Sequence, residues 1–318
     1  MNKQHIAMAL GLAFAGLASI APVLAQAQAY PAKQPVQMIV PFAAGGAADS
    51  MARSFSKGLA ARLGQSVVAI NKEGAGGTIG FWQVARANAN GYMLAYGPST
   101  PVSAGAILSG GPKYDQLTPV CQTHENIMIV VVREESPIKS IQQLLAMSRA
   151  QPGKLAYGHS GQGTVPHLSM ENFSQTAGAS FNAIAYRGDG PMMIDLIGGT
   201  LDFGVSSAAA ASNGKLRVLG VFAEQRQSNW PDAPAMREIG NATLAPGLNG
   251  LWAPKDTPAD VIALLEKECE AVVRSDEFQQ TARALSQRPA FLHGKQYLQR
   301  VADDYVSLDK TLRSLNIK

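Results

Sequence analysis

The sequence predicts an α/β fold divided into two lobes, on three observations. Short apolar runs alternate with amphipathic runs, the pattern of strands and helices that builds mostly parallel sheets. The chain has 318 residues, too many for one ordinary core and suited to two domains of about 100–200 residues. Hydrophobic residues make up 46% and charged residues 16%, enough apolar surface for two cores and too little charge for a disordered chain.

The first residues read as a secretory signal. Lys3 supplies a positive start, Ile6 to Ile20 form an apolar stretch, and Ala25 and Ala29 both offer small cleavage positions. Residues 1–25 are expected to be removed, with cleavage as late as 29 as the alternative. The apolar run is shorter than the roughly 18–20 residues of a membrane span, and no cysteine follows it to carry a lipid. The mature protein is therefore expected free in an extracytoplasmic space.

Residues 36–40 are a first strand. Met51, Phe55, Leu59 and Leu63 recur every four residues, and Gly64 stops the helix they define. Residues 67–70 and 92–96 are further strands, with a helix from about Thr78 between them. The uninterrupted apolar run 127–132 suits a central strand buried on both faces. Ser140 caps a helix carrying Ile141, Leu144 and Leu145, which ends before Pro152-Gly153. Strands are expected at 155–157, 181–186, 201–205 and 217–222, with helices at 166–176 and 191–197. Residues 251–252 form a strand, Thr257-Pro258 open a helix, and a final helix carries Tyr297, Val301, Tyr305, Leu308 and Leu312. The expected lobes are 30–125 with 250–318, and 126–249, joined near His124–Asn126 and Leu248–Gly250.

Net charge is +4 and the basic residues are scattered, which gives no nucleic-acid signature. The two cysteines, Cys121 and Cys269, could bridge in an oxidising compartment. Their settings, beside an apolar strand and inside an amphipathic helix, favour two buried free thiols over a disulfide.

Three glycine-rich loops run from a strand end to a helix start, where open α/β sheets bind ligands. In the first, Pro41 to Asp49, small residues let backbone approach a ligand, and the following helix offers N–H groups to an anion. Asp49 stands where an N-cap is expected. The second, Gly74 to Gly80, fails the dinucleotide fingerprint at Ile79 and lacks the Lys-Ser/Thr of a P-loop. The third, Tyr157 to His167, fails the nucleophile-elbow pattern because Gln162 stands where glycine is needed. Thr164 can cap the next helix while facing the cleft, and His167 lies in its first turn. The five histidines show no metal-ligand spacing.

With these loops in hand, the chain resembles the substrate-binding proteins of the tripartite tricarboxylate transporter family, the Bug receptors. The segments that carry the resemblance are YPAKQPVQMIVPFAAGGAADSMAR, Asn71 to Gly80, Asn90 to Gly97, Pro152 to Leu168, Tyr186 to Asp202, Gly214 to Val221 and Ala253 to Leu264. The resemblance implies a two-lobe periplasmic binding protein of type II, each lobe a mixed, mostly parallel sheet flanked by helices. It implies a periplasmic monomer that binds a small carboxylic acid: an amino acid, a di- or tricarboxylic acid, or an aromatic acid. The partners it implies are membrane transporter subunits, or alternatively a sensor kinase. No cofactor, metal or catalysis is expected. A periplasmic hydrolase built on Ser160 is the less supported alternative.

Phe42, Ala44, Gly45, Gly46 and Asp49 are then expected to form one wall of the cleft, with Thr78, and with hydroxyls from Ser99 and Thr100. His159, Ser160, Gly161, Gly163, Thr164 and His167 form the opposite wall. Tyr186 and Arg187 close over the acid, and Ser206 stands at the end of a neighbouring strand. The chain departs from the family pattern at His159, usually a small residue, at Val205 to Ala210, and at Leu248-Asn249-Gly250, where many members carry aromatics.

Overall fold

Each lobe is organised around one sheet. In the computed structural model, which describes residues 30–213, 215–240 and 246–314, the first sheet has six strands and the second five. The signal expected at 1–25 lies outside the described residues.

The first sheet is built from β1 (Val36–Val40), β2 (Val67–Asn71), β3 (Met93–Pro98), β4 (Leu117–Asn126), β10 (Gly247–Pro254) and β11 (Arg288–His293). Its order is β11-β4-β10-β3-β1-β2. Helices α1 (Ala47–Leu63), α2 (Thr78–Ala85), α3 (Ala104–Leu108), α7 (Ala259–Val273), α8 (Asp276–Ala284) and α9 (Gly294–Ser314) belong to the same part of the chain. Met51, Phe55 and Leu59 bury one stripe of α1, and Gly64 ends the helix in the left-handed region at φ 62°. The Phe55 ring stacks on Tyr96 of β3 at 4.7 Å, in a core shared with Leu265 and Val272 of α7.

The second sheet uses β5 (Met128–Arg133), β6 (Ala156–His159), β7 (Asn182–Ala185), β8 (Phe203–Ser207) and β9 (Leu216–Phe222), in the order β7-β6-β8-β5-β9. Helices α4 (Ile141–Ala150), α5 (Val165–Ala177) and α6 (Asp189–Gly198) flank it. As its apolar run predicts, β5 is interior, with Val130, Val131 and Val132 buried between β8 and β9. Both sheets are mixed. Parallel pairing joins β1 to β2 and β3, and β6 to β7 and β8, whereas β10, β5 and β11 run antiparallel to their partners.

The chain passes between sheets at Ile127, between β4 and β5, and returns into β10, where Gly247 pairs with Asn126. Leu248-Asn249-Gly250, where the return was expected, lie within β10. Strand β4 carries Gln122, Thr123, His124 and Glu125 in a row, all buried. Such a polar run does not read as a strand. It is tolerated because each side chain finds a partner: Gln122 donates to the Ala290 carbonyl, Thr123 and His124 meet the Tyr96 hydroxyl, and Arg300 donates to Glu125 at 2.7 Å.

The cysteines correct the free-thiol expectation. Cys121 of β4 and Cys269 of α7 form a disulfide, with Cα atoms 6.7 Å apart. Both lie fully buried in one apolar core. The contact exists because α7 packs across β4, a tertiary fact that spacing along the chain does not carry.

Candidate ligand-binding cleft

The two lobes face each other across a cavity in which the centre of a water molecule has about 50 Å³ to move, several times the ~10–15 Å³ that one water requires. The wall from the first sheet is made by Phe42, Ala43, Gly46, Ala47 and Ala48, by Pro98 and Thr100 beyond β3, and by Asn249 of β10. The opposite wall is made by Ser160, Thr164, Val165, Pro166, Asp189 and Ser207, with Asn126 and Met128 at the crossing.

Two helices aim their starts at this space. The first turn of α1 follows Gly46, and that of α5 follows Thr164; neither cap residue accepts a side-chain hydrogen bond from its helix. The Thr164 hydroxyl donates instead to the Gly161 carbonyl at 2.6 Å. Unclaimed N–H groups and two helix dipoles therefore converge on one cavity, an arrangement that favours an anion.

The cavity also gathers unpaired polar atoms. Among the described residues nine buried side-chain N or O atoms lack a hydrogen-bond partner. Four belong to lining residues, Thr100 Oγ1, Asn126 Oδ1, Asp189 Oδ1 and Ser207 Oγ, and a fifth, Ser206 Oγ, stands behind Asp189. Such groups are rare in folded proteins because each costs about 1–3 kcal/mol. Burial pushes the Asp189 carboxyl up to about 6. The nearby Ser206 hydroxyl offsets part of that rise, although its geometry falls short of a normal hydrogen bond.

Of the residues expected from sequence, Phe42, Gly46, Thr100, Ser160 and Thr164 line the cavity. Ser206 stands just behind it, facing Asp189. Gly45 lines an adjoining, shallower pocket of about 350 Å³ that shares Gly46, Ala47 and Asp189 with the cavity. Ser99 lines a separate pocket beside α9. Ala44 presents its carbonyl to Gly190 across the mouth.

The others hold the walls in place. Asp49 is the third residue of α1 rather than its cap. It accepts from the Gly45 N–H at 3.1 Å, from Arg53 and from the Asn71 amide at 2.9 Å. Burial raises its carboxyl, but these hydrogen bonds and the Arg53 charge outweigh it and hold the group below the usual range. Thr78 donates to the Ala75 carbonyl. His159 and His167 stack at 4.4 Å behind the third loop. The Gly163 N–H donates to His167 Nδ1 at 3.1 Å, and His159 Nδ1 lies 2.9 Å from the Gly161 carbonyl. Burial lowers both imidazoles, His159 to about 3 with the His167 ring adding to the effect. The pair braces the loop as neutral rings.

Tyr186 donates to Asp195 at 2.6 Å and is committed within its own lobe. The Arg187 side chain is 77% exposed and lies 3.6 Å from Glu73 of the opposite lobe. Its backbone, not its charge, closes the cleft: the Ala43 N–H donates to the Arg187 carbonyl at 3.2 Å. On the same mouth, a Cβ on Gly161 would lie 3.2 Å from the Gly76 Cα. Gly163 sits against Leu108.

Sequence reasoning missed Asn126, Asp189, Ser207 and Asn249. Asp189 carried a signal, an acid flanked by glycines at a strand-to-helix turn, but an acid at a helix start reads as a dipole partner. Asn126 and Asn249 lie on strands treated as joins.

A family model for the tripartite tricarboxylate transporter family receptor matches residues 51–317. The protein BugT of Bordetella pertussis is 32% identical over 313 residues, covering 96% of this chain and 95% of BugT. Among solved structures, the periplasmic binding protein BugD superposes with a TM-score of 0.85 at 28% identity, over 90% of this chain and 99% of BugD. The R. palustris protein Rpa4515, solved with adipate, gives 0.84 at 26% identity, over 90% and 98% of the two chains. With its two lobes, its uncapped helix starts at one cleft and these likenesses, the chain belongs to the tripartite tricarboxylate transporter receptor family.

Proposed function

We propose that this protein is a periplasmic solute receptor that closes its two lobes on a small carboxylic acid and hands it to a tripartite tricarboxylate-type membrane transporter. In this reading the chain is secreted by its N-terminal segment, acts as a monomer, and divides into lobes 30–125 with 250–318 and 126–249. The observation that carries it is the coincidence of two uncapped helix starts with four buried, unpartnered polar atoms at one cavity. A ligand with carboxylate oxygens and further polar atoms meets both needs at once. The adipate bound to Rpa4515 is a ligand of that class. Ser160 is positioned for binding: its hydroxyl reaches Thr164 at 3.5 Å, and both neighbouring histidines are engaged with backbone.

Thermal melting across a panel of mono-, di- and tricarboxylic acids and amino acids tests the reading. A ligand present at 100 times its dissociation constant adds about 2.7 kcal/mol, so a true ligand raises the midpoint by several degrees and is recovered unchanged. If no acid shifts the midpoint, or if the acid is consumed, the receptor reading is wrong.

A further inference from the structure

We propose that the cleft selects carboxylic acids that also carry a protonated amine, and that Asp189 is the residue that receives the ammonium group. The proposal rests on the receptor reading above and narrows its ligand class.

The argument starts from a charge asymmetry. The helix starts at Ala47–Ala48 and Val165 supply hydrogen-bond donors to the cavity. The same cavity holds two acceptors with nothing to accept from, Asp189 Oδ1 beside the α1 start and Asn126 Oδ1. No Lys, Arg or His is among the described residues that line the cavity or the adjoining pocket. The arginines near this part of the fold are turned elsewhere, Arg187 toward Glu73 and Arg53 onto Asp49. Asp189 is thus the only ionisable group on the cavity wall among those residues.

A ligand with carboxylates at both ends would set one of them against this acid, where the local dielectric is low and like charges repel strongly. A zwitterionic ligand satisfies both ends. Its carboxylate takes the helix starts, and its ammonium donates to Asp189 and Asn126. Such charge-assisted hydrogen bonds are about twice as strong as neutral ones. The raised carboxyl of Asp189 fits an acid left without the cation it is built to hold.

The test compares matched acids by isothermal titration at pH 7.5: aspartate with succinate, glutamate with glutarate, and 4-aminobutyrate with butyrate. The wild-type chain is expected to bind the amino member of a pair about 10- to 100-fold more tightly, the range of a charge-assisted hydrogen bond. Asp189→Asn is expected to bring the two members within about threefold while leaving the melting midpoint of the empty protein unchanged or higher. If the variant does not fold, the wild-type pairs still decide. A wild-type protein that binds the amine-free member equally or more tightly, or a preference that survives in Asp189→Asn, overturns the proposal and leaves the receptor reading standing. Failure of every acid to bind, in both members of all pairs and in the wider panel, overturns both.

Discussion

Removing the Cys121–Cys269 bridge is expected to lower stability strongly and leave ligand affinity alone. The two cysteines are 148 residues apart, and the loop they close contains the whole second sheet. In the chain-entropy account, cross-linking a loop of that length removes about 17 cal/mol/K from the unfolded ensemble, or about 5 kcal/mol at 25 °C. Unfolding entropy of about 2.1 cal/mol/K per residue gives about 0.6 kcal/mol per degree for a mature chain of ~290 residues. The double variant Cys121→Ala/Cys269→Ala should therefore melt about 8 °C lower, with a small further loss from the space vacated by two fully buried sulfurs. Neither cysteine lines the cleft, so the dissociation constant of any ligand should stay within about twofold, well inside the tenfold that 1.4 kcal/mol represents. Thermal melts of oxidised wild type, reduced wild type and the variant, paired with thiol titration of unfolded, unreduced protein, give the result. Two free thiols in that titration, or a variant that melts within a degree of wild type, refutes the reasoning.

Two further perturbations follow from the buried polar groups. His124 and His159 are held neutral by burial, each lowered to about 3, against about 6.5 when unfolded. Between those values the unfolded chain binds protons that the folded chain does not, so their stabilising contribution is present above about pH 6.5 and is lost as pH falls toward 3. The slope approaches about 1.4 kcal/mol per pH unit for each ring, opposed between about pH 6 and 4 by Asp189 and Asp304, each raised to about 6; NMR titration of the imidazole C–H signals reads the rings directly, both should stay neutral at pH 5, and titration near 6.5 contradicts their burial. Thr100→Val removes a cavity hydroxyl that has no partner in the protein. It should weaken ligand binding by roughly 3- to 30-fold, the span of a neutral-to-charged hydrogen bond, while calorimetry shows the melting of the empty protein unchanged or raised.

The architecture was legible because local chemistry decided it. The stripe of α1 and its Gly64 stop, the apolar run of β5 and the Ser140 cap of α4, which accepts from the Gln143 N–H at 3.2 Å, each form where periodicity and capping place them. What escaped was tertiary in origin. Strand β4 hides four polar residues whose partners come from residues 96, 290 and 300, so no window along the sequence shows them satisfied. Helix α8 buries only Phe278 and Ala282, too thin a stripe to stand out. In the site, the loops were legible as loops, and Gly46 and Thr164 emerged as helix starts at the cavity. The polar residues of those loops were harder. Asp49, His159 and His167 carry the chemistry expected of ligand contacts, yet each is engaged by neighbouring groups of its own lobe. The acid that faces the cavity, Asp189, is distinguished only by having no partner, which a sequence cannot show.

That absence of partners also sets how the clamp works. In the closed arrangement four buried polar atoms of the cavity go unmatched, at about 1–3 kcal/mol each. Against them stand one backbone hydrogen bond, from Ala43 to Arg187, an exposed one from the Asn229 amide to the Ser286 hydroxyl, the exposed Arg187–Glu73 pair, and the packing of Leu168 on Ala104 and Leu308. Each hydrogen bond contributes at most about 0.5–1.5 kcal/mol and the exposed pair about 0–1 kcal/mol. The empty protein should therefore favour the open state, and a ligand closes it by supplying the missing partners. Gly76 gives a way to tax closure alone. A Cβ there would lie 2.6 Å from the Gln162 carbonyl, and its other near contacts also belong to the opposite lobe. An ordinary contact needs about 0.8 Å more, and a backbone carbonyl cannot swing aside as a side-chain tip would. Gly64 is the matched control: its backbone is at φ 62°, ψ 22° against φ 62°, ψ 20° for Gly76, and a Cβ there meets nothing within 4 Å. Gly64→Ala and Gly76→Ala should each lose about 1–2 kcal/mol of stability for the left-handed backbone. Only Gly76→Ala should weaken the tightest acid of the panel, by ~10-fold or more, which corresponds to about 1.4 kcal/mol. Equal affinities in the two variants would mean that ligand capture does not bring Gly76 against Gln162, and that the closed contact is no part of binding.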